Sequence, residues 1–449
     1  MCPSAPTLPN ATARDSRWIS ESCVLVNNTT GSVPEMGTPA GTNPTKQLKR
    51  SVVALSIFAL CIDSLAVRSV ILLAPFIRSA LRLDDDQVGY VMAAMVAGTL
   101  VITIPAGSLL GRLDARLAFS SLMFAVGLAF FGLSFQQSFW GLLITLFILG
   151  VFRAGIIPQV TRFITEHFDQ SQRGRVIGIS YAAVPLGGFL GAVVLPALAE
   201  FVDWNTSYRF LGLVALLGGF LIWKLAPSGG GSRQVISRKA GFASLLTLPF
   251  IILSAAYGLF ALSMAGEVFV TLYLVDVGEI SATLAGTFFG LIQLTGTGGR
   301  VFWGFLADHA FRSNRWTLLA ITSGLTVLSY ALLIALKPGA PWWGITGIMI
   351  LLGLSVASSW VILSTLVGDV VGVQSVAVGV AAIFFLTNIT DISGSILYGN
   401  LLKQTHSYQV TLSLFAGMAA IACLLFTLMA LRTAFHRAPK SAPLIARSE

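Results

Sequence analysis

Long apolar stretches alternate along this chain with short polar ones, and the apolar stretches recur at similar lengths. Twelve are marked, at 51–77, 88–110, 117–135, 139–162, 176–200, 207–226, 243–274, 283–306, 317–336, 342–366, 375–400 and 409–431. They run from 19 to 32 residues, and roughly 20 suffice to carry a helix across about 30 Å of hydrocarbon. The stretches are continuously apolar instead of alternating, which argues against barrel strands. A segment surrounded by lipid must satisfy its own backbone hydrogen bonds, and a helix does so. The pattern predicts an all-α integral membrane protein with twelve transmembrane helices.

The widest interior polar interruption, 227–242, contains Ser228-Gly-Gly-Gly-Ser232 and basic residues. It reads as a flexible linker between two six-helix bundles, 51–226 and 243–431. Residues 1–50, rich in Ser, Thr, Pro, Asn and Gly, read as a disordered tail. Residues 432–449 form a second tail. Each half also carries a similar polar loop between two spans. The first runs from Gly107 through Arg112 and Asp114 to Arg116, and the second from Gly304 through Asp308 and Arg312 to Arg315. A membrane chain that repeats such a loop is built from two related bundles, the arrangement of many transporters.

Composition agrees with a bilayer environment. Of 449 residues, 55% are hydrophobic and 10% charged, against about 25% charged in soluble domains. The net charge of +9 is scattered over short loops. It therefore reports membrane orientation and anionic lipid, not nucleic acid. Lys46, Lys49, Arg50, Arg112, Arg116, Arg173, Arg175, Arg233, Arg238, Lys239, Arg312, Arg315, Arg432, Arg437 and Lys440 gather on one side. Both termini are expected on that side, in the cytoplasm, with the protein in a plasma or inner membrane. The four cysteines show no metal or disulfide spacing. No nucleotide fingerprint is present, and no cofactor is expected.

Charges inside the spans carry the candidate chemistry. On insertion scales each costs about 2.5–3.5 kcal/mol near the bilayer centre, so each faces a cavity or a partner. They are Asp63 and Arg68 in span one, Arg153 in span four, Glu267 in span seven and Asp391 in span eleven. Arg153 is the first candidate for substrate contact, because a guanidinium holds carboxylate or phosphate through two hydrogen bonds. Arg68 is the second. A structural ion pair between helices is the competing reading for each. Asp63, Glu267 and Asp391 are candidates for proton binding, or else compensate the arginines. Gln293 and Asn388 are candidates for orienting substrate, or for helix–helix hydrogen bonding.

With these residues in view, the chain resembles the major facilitator superfamily over about 50–432. The resemblance rests on the six-plus-six layout, the central linker and the repeated loop, which is similar to the family signature Gly-x-x-x-Asp-Arg-x-Gly-Arg. The first copy matches at Gly107, Arg112 and Arg116 but has Gly111 in place of Asp and Asp114 in place of Gly. The second keeps Gly304 and Asp308, with Arg312 near the basic position and Arg300 ahead of it at the end of span eight. The resemblance implies that these residues form a cytoplasmic gate. Either the first gate is weakened at Gly111, or Asp114 supplies its carboxylate from a shifted position. Spans one, four, seven and ten line the cavity in the family, and three of them hold the charges above. The stretch Glu166 to Arg175 and the segment Gly178 to Gly191 resemble organic-anion permeases. Arg153-Ala-Gly155 departs from the Glu that the sugar-acid branch often carries there.

The leading functional reading is a monomeric secondary transporter. It moves a small organic anion by alternating access, coupled to protons. The alternatives are an exporter of drugs or amphipathic compounds, and a receptor or scaffold that keeps the fold without transport. An enzyme is disfavoured, since no nucleophile–base or metal spacing is visible.

Overall fold

The structure, a computed structural model, describes residues 44–110, 114–227, 245, 247–372 and 375–437. Its regular elements are seventeen helices among these residues. The N-terminal half contains α1 (Pro44–Leu81), α2 (Asp85–Leu110), α3 (Ala115–Leu133), α4 (Phe139–Arg153) and α5 (Ile156–His167), then α6 (Gln170–Tyr181), α7 (Ala183–Phe201) and α8 (Trp204–Leu225). The C-terminal half contains α9 (Leu248–Ser263), α10 (Ala265–Val268), α11 (Val270–Asp276), α12 (Ala282–Asp308) and α13 (Trp316–Ile334). It continues with α14 (Trp342–Ser355), α15 (Ser359–Val371), α16 (Val376–Thr405) and α17 (Tyr408–Arg437).

Several of these helices are pieces of one span. The pairs α4–α5, α6–α7 and α14–α15, and the trio α9–α11, each cross as a broken rod, which leaves twelve membrane units. Ten stretches among the described residues are long and apolar enough to cross a bilayer. The other two units, α2 and α12, have 26 and 27 residues. At about 1.5 Å per residue they also reach across. The helix α1 begins at Pro44, ahead of the expected start at 51, and α17 continues past 431 to Arg437. The expected linker falls almost entirely outside the described residues, as do residues 1–43 of the expected N-terminal tail.

Helices with little apolar–polar contrast cannot rely on the hydrophobic effect to associate in lipid, so small residues at the contacts decide the packing. The contact between α2 and α4 is an example. A Cβ on Gly98 would overlap the Phe147 carbonyl oxygen, and one on Gly150 would overlap that of Met95. The second half repeats the device between α12 and α14. There a Cβ on Gly296 would strike Ala357, and one on Gly353 would strike Thr295. The same helix pair, second span against fourth, is thus cemented by glycine in each bundle.

Cross-half packing uses small residues too. Gly89 of α2 lies against Ser395 and Gly399 of α16, and Gly286 of α12 lies against Pro196 of α7.

Forcing a side chain into such a contact typically costs 1–3 kcal/mol. Gly98→Leu and Gly150→Leu are therefore expected to lower the melting temperature of the detergent-purified protein, measured by scanning fluorimetry. Gly417→Leu is the control, because nothing lies within 4 Å of a Cβ built there. Its melting temperature should stay at the parent value.

Candidate functional site

The fourth span breaks at Ala154 and Gly155, and Arg153 is the last residue of α4 before the break. Each nitrogen of its guanidinium makes a hydrogen bond. Nε donates to Asp63 Oδ1 at 3.0 Å, Nη2 to Asp63 Oδ2 at 3.2 Å, and Nη1 to Thr99 Oγ1 at 3.1 Å. The side chains are 14% and 4% exposed. This is a buried bidentate pair joining α4 to α1, with α2 contributing the hydroxyl. Two residues expected to act on substrate and proton separately are thus brought together on each other.

Arg68, one and a half turns further along α1, has a different setting. It lines a cavity of about 250 Å³ between the two halves, together with Glu267, Arg300, Asp391 and Ser395 of the C-terminal half. Its guanidinium lies 5.9 Å from the centre of the Phe289 ring on α12, a contact across the seam. Met92, Met95 and Met264 supply part of the apolar wall. Glu267 is on α10, the short middle piece of span seven, and is 9% exposed. Asp391 lies midway along α16 and is exposed, so a group at the centre of a span remains open to the cavity.

Arg300 was expected in the gate, but it precedes Asp308 by eight residues on one helix. That separation is about 12 Å of rise, and it puts Arg300 on the cavity wall. The break in span ten explains part of its position. Residues 356–358 interrupt the helix between α14 and α15. Carbonyls near an interrupted helix need donors from elsewhere. Arg300 Nε donates to Ala357 O at 3.2 Å, and Trp303 Nε1 to Leu354 O at 2.7 Å.

The remaining polar candidates, Gln293 and Asn388, have different settings. Gln293 is 4% exposed and faces Gly188 of α7 at the seam, with its Nε2 unbonded. Asn388 donates to Phe384 O at 2.7 Å within its own helix.

The two repeated loops, expected to form a gate, differ. Gly107 falls in the last turns of α2, and Arg112 lies outside the described residues. Asp114 caps α3, accepting from the backbone N–H groups of Arg116 at 2.9 Å and Leu117 at 3.3 Å. It serves as a helix cap. In the second loop Gly304 and Asp308 close α12, and Arg312 is exposed. The organising cation is Arg315. It contacts Asp308 at 3.3 Å and grips both oxygens of Asp369 on α15, at 2.7 and 2.8 Å. Asp369 lies near the end of span ten much as Glu166 lies near the end of span four.

Opposite this face, charges of both halves interlock. Arg78 at the end of α1 pairs with Asp276 at the end of α11, and with Asp85 at 3.3 Å. Tyr408 donates to Asp276 at 2.6 Å. Lys403 of α16 reaches Asp84 at 3.1 Å and Asp86 at 3.0 Å. Burial raises the Asp85 carboxyl above its ordinary value, and the Arg78 charge pulls the other way. These residues lie in short loops and at span ends, apart from the charges that the sequence marks inside the spans.

Comparison with known proteins places this arrangement. The hexuronate transporter of Bacillus subtilis (strain 168) is 23% identical over 373 residues, 78% of this chain and 87% of that protein. Multidrug resistance protein 1 of the same organism is 29% identical over 213 residues, 44% of this chain and 53% of that protein. A crystal structure of a bacterial homologue of the human lysosomal transporter Spinster, inward-facing and occupied, superposes with a TM-score of 0.73. It is 16% identical, and the alignment covers 90% of this chain and 100% of that one. At that identity the likeness speaks for the fold alone. The family model of the Major Facilitator Superfamily matches residues 56–394. With the two six-helix halves and the matched span taken together, the chain belongs to the Major Facilitator Superfamily.

Proposed function

We propose that this protein is a secondary active transporter that moves a small organic anion by alternating access, with proton coupling. One observation carries the reading. Arg68 and Arg300, from opposite halves, face the same cavity as Glu267 and Asp391. An anion held between the two arginines would bridge the halves and draw them together, which is the step alternating access requires. The cavity volume of about 250 Å³ is below the roughly 300–1,000 Å³ of sites for drug-sized ligands. A small cargo is favoured for that reason. The hexuronate transporter among the relatives supports an anionic one.

Arg153 has another part in this proposal. Its pairing with Asp63 leaves Arg68 and Arg300 as the substrate cations, and Glu267 and Asp391 as the proton sites. The face of Asp84, Asp276 and Lys403 is closed in this state. The positive loops orient it outward, with both termini in the cytoplasm. The second reading, export of drugs, has support from the multidrug resistance relative, which matches 44% of the chain. It predicts competition by apolar cations and indifference to Arg68. A receptor that keeps the fold would bind anions without accumulating them in sealed vesicles.

A charge-assisted hydrogen bond contributes about 1.5–3 kcal/mol. Arg68→Ala is therefore expected to weaken D-glucuronate uptake into proteoliposomes by about 10- to 100-fold. Unchanged uptake with correct insertion would remove Arg68 from the site. The Asp63–Arg153 pair is predicted to act through structure. Asp63→Asn strands a buried guanidinium and should cost about 3–5 kcal/mol. The double variant Asp63→Asn/Arg153→Gln should recover most of that, read as melting temperature. A double variant as unstable as the single one would contradict the pairing.

A further inference from the structure

We propose that the cavity carries its cargo only in electrically balanced form. The protons taken up by Glu267 and Asp391 equal in number the negative charges on the anion, up to two. This rests on the reading of the cavity as the transport site.

The wall carries two fixed positive charges, on Arg68 and Arg300, and two titratable negative ones, on Glu267 and Asp391. No salt bridge among the described residues joins any two of these four. None is locked in contact with another of the four, so a ligand entering the space meets all of them. The next charged groups, Asp63 and Arg153, cancel at 3.0 Å. The nearby phenols are bonded elsewhere: Tyr257 shares a hydrogen with Ser359 at 3.2 Å, and Tyr330 donates to Ser263 O at 2.7 Å. The local sum is zero when both acids are ionised.

A monoanion entering this space leaves it at minus one, and a single proton on either acid restores zero. A dianion needs two protons, which uses both acids. When the halves close, the cavity loses water, and a charge without compensation becomes costly. The empty form and the fully loaded form are both neutral and can close. Anion without proton, or proton without anion, leaves a net charge and resists closure. Coupling thus follows from charge balance, without a contact between the proton and the cargo. Both proton sites ride on the C-terminal half, and the N-terminal half contributes one fixed cation. A trianion has no third acid to balance it.

The test uses the full-length protein in liposomes with D-glucuronate as a monoanion probe and tartrate as a dianion probe. Potential is clamped with potassium and an ionophore. A difference of one pH unit should concentrate glucuronate about tenfold and tartrate about 100-fold. A potential of about 100 mV should change neither, whereas one uncompensated charge would change accumulation by about 50-fold. Glucuronate uptake that follows the potential overturns this inference and leaves the transport reading standing. Failure of both probes to enter overturns the anion-transport reading, and this inference with it. Asp391→Asn should make glucuronate uptake potential-sensitive and less dependent on the pH difference. A variant still driven by protons and blind to potential would overturn the assignment. If that variant does not fold, the wild-type measurement with glucuronate decides.

Discussion

An ionised side chain inside a bilayer must be paired or kept wet, and this constraint organises the protein. The chain meets it in both ways within a few turns of one helix. Asp63 and Arg153 meet it by pairing, with Thr99 taking a third donor. Arg68 meets it by facing a cavity shared with Arg300, Glu267 and Asp391. The two solutions have different costs. Separating a buried pair costs about 3–5 kcal/mol, too much to repeat on each turnover without a dedicated replacement partner. A charge already facing a cavity can exchange its surroundings for a ligand at far smaller cost. The same residue type is therefore a fixed strut at Arg153 and part of a cavity wall at Arg68.

The same argument separates the ion pairs at the two faces. Lys403 and its partner Asp84 are 47% and 63% exposed, and Arg78 and Asp276 are 30% each. Water screens pairs reached by solvent in this way, and each contributes little on its own. They are cheap to break, so they can hold the halves together in one state and release them in another. Glycine at the seam serves the same end. Gly89 lets α2 and α16 approach closely, and backbone contact of that kind needs no side-chain rearrangement when it parts.

Much of this was legible in the sequence, because the dominant signal is local. Apolar stretches of spanning length are read directly, and so is a charge that interrupts them. All five expected intramembrane charges lie on spans. What the sequence did not reveal was who faces whom. Asp63 and Arg153 are 90 residues apart, and nothing in either stretch marks them as partners. A lone arginine in a span looks the same whether it is paired or waiting. Arg300 was grouped with the loop, and its place on the cavity wall missed, for a simpler reason. Its nearness to the loop in sequence hid a rise of about 12 Å along the helix. Asp369 escaped notice, and Arg315 was read only as the end of the loop, because the motif directed notice to Arg312. Asp114 could be read as a displaced gate carboxylate until its oxygen was found capping α3.

The two halves repeat a plan and then diverge in its use. Spans four and ten break at comparable depth, after Arg153 and after Ser355, and each is held to a neighbour by glycine contacts. In the first half the residue at the break is locked to Asp63. In the second half the break offers carbonyls that hold Arg300 and Trp303, and Arg300 is thereby presented to the cavity. Three of the four cavity charges consequently belong to the C-terminal half. The gate loops show the same bias, with Arg315 joining two acids in the second half and Asp114 serving as a cap in the first. A duplicated bundle needs both copies to form the seam, but only one copy has to carry most of the charge that reads the ligand. With the N-terminal half holding Asp63 and Arg153 in a fixed pair, its charged contribution to the cavity reduces to Arg68, and under the proposed function that single cation is what an anion would reach across the seam to meet.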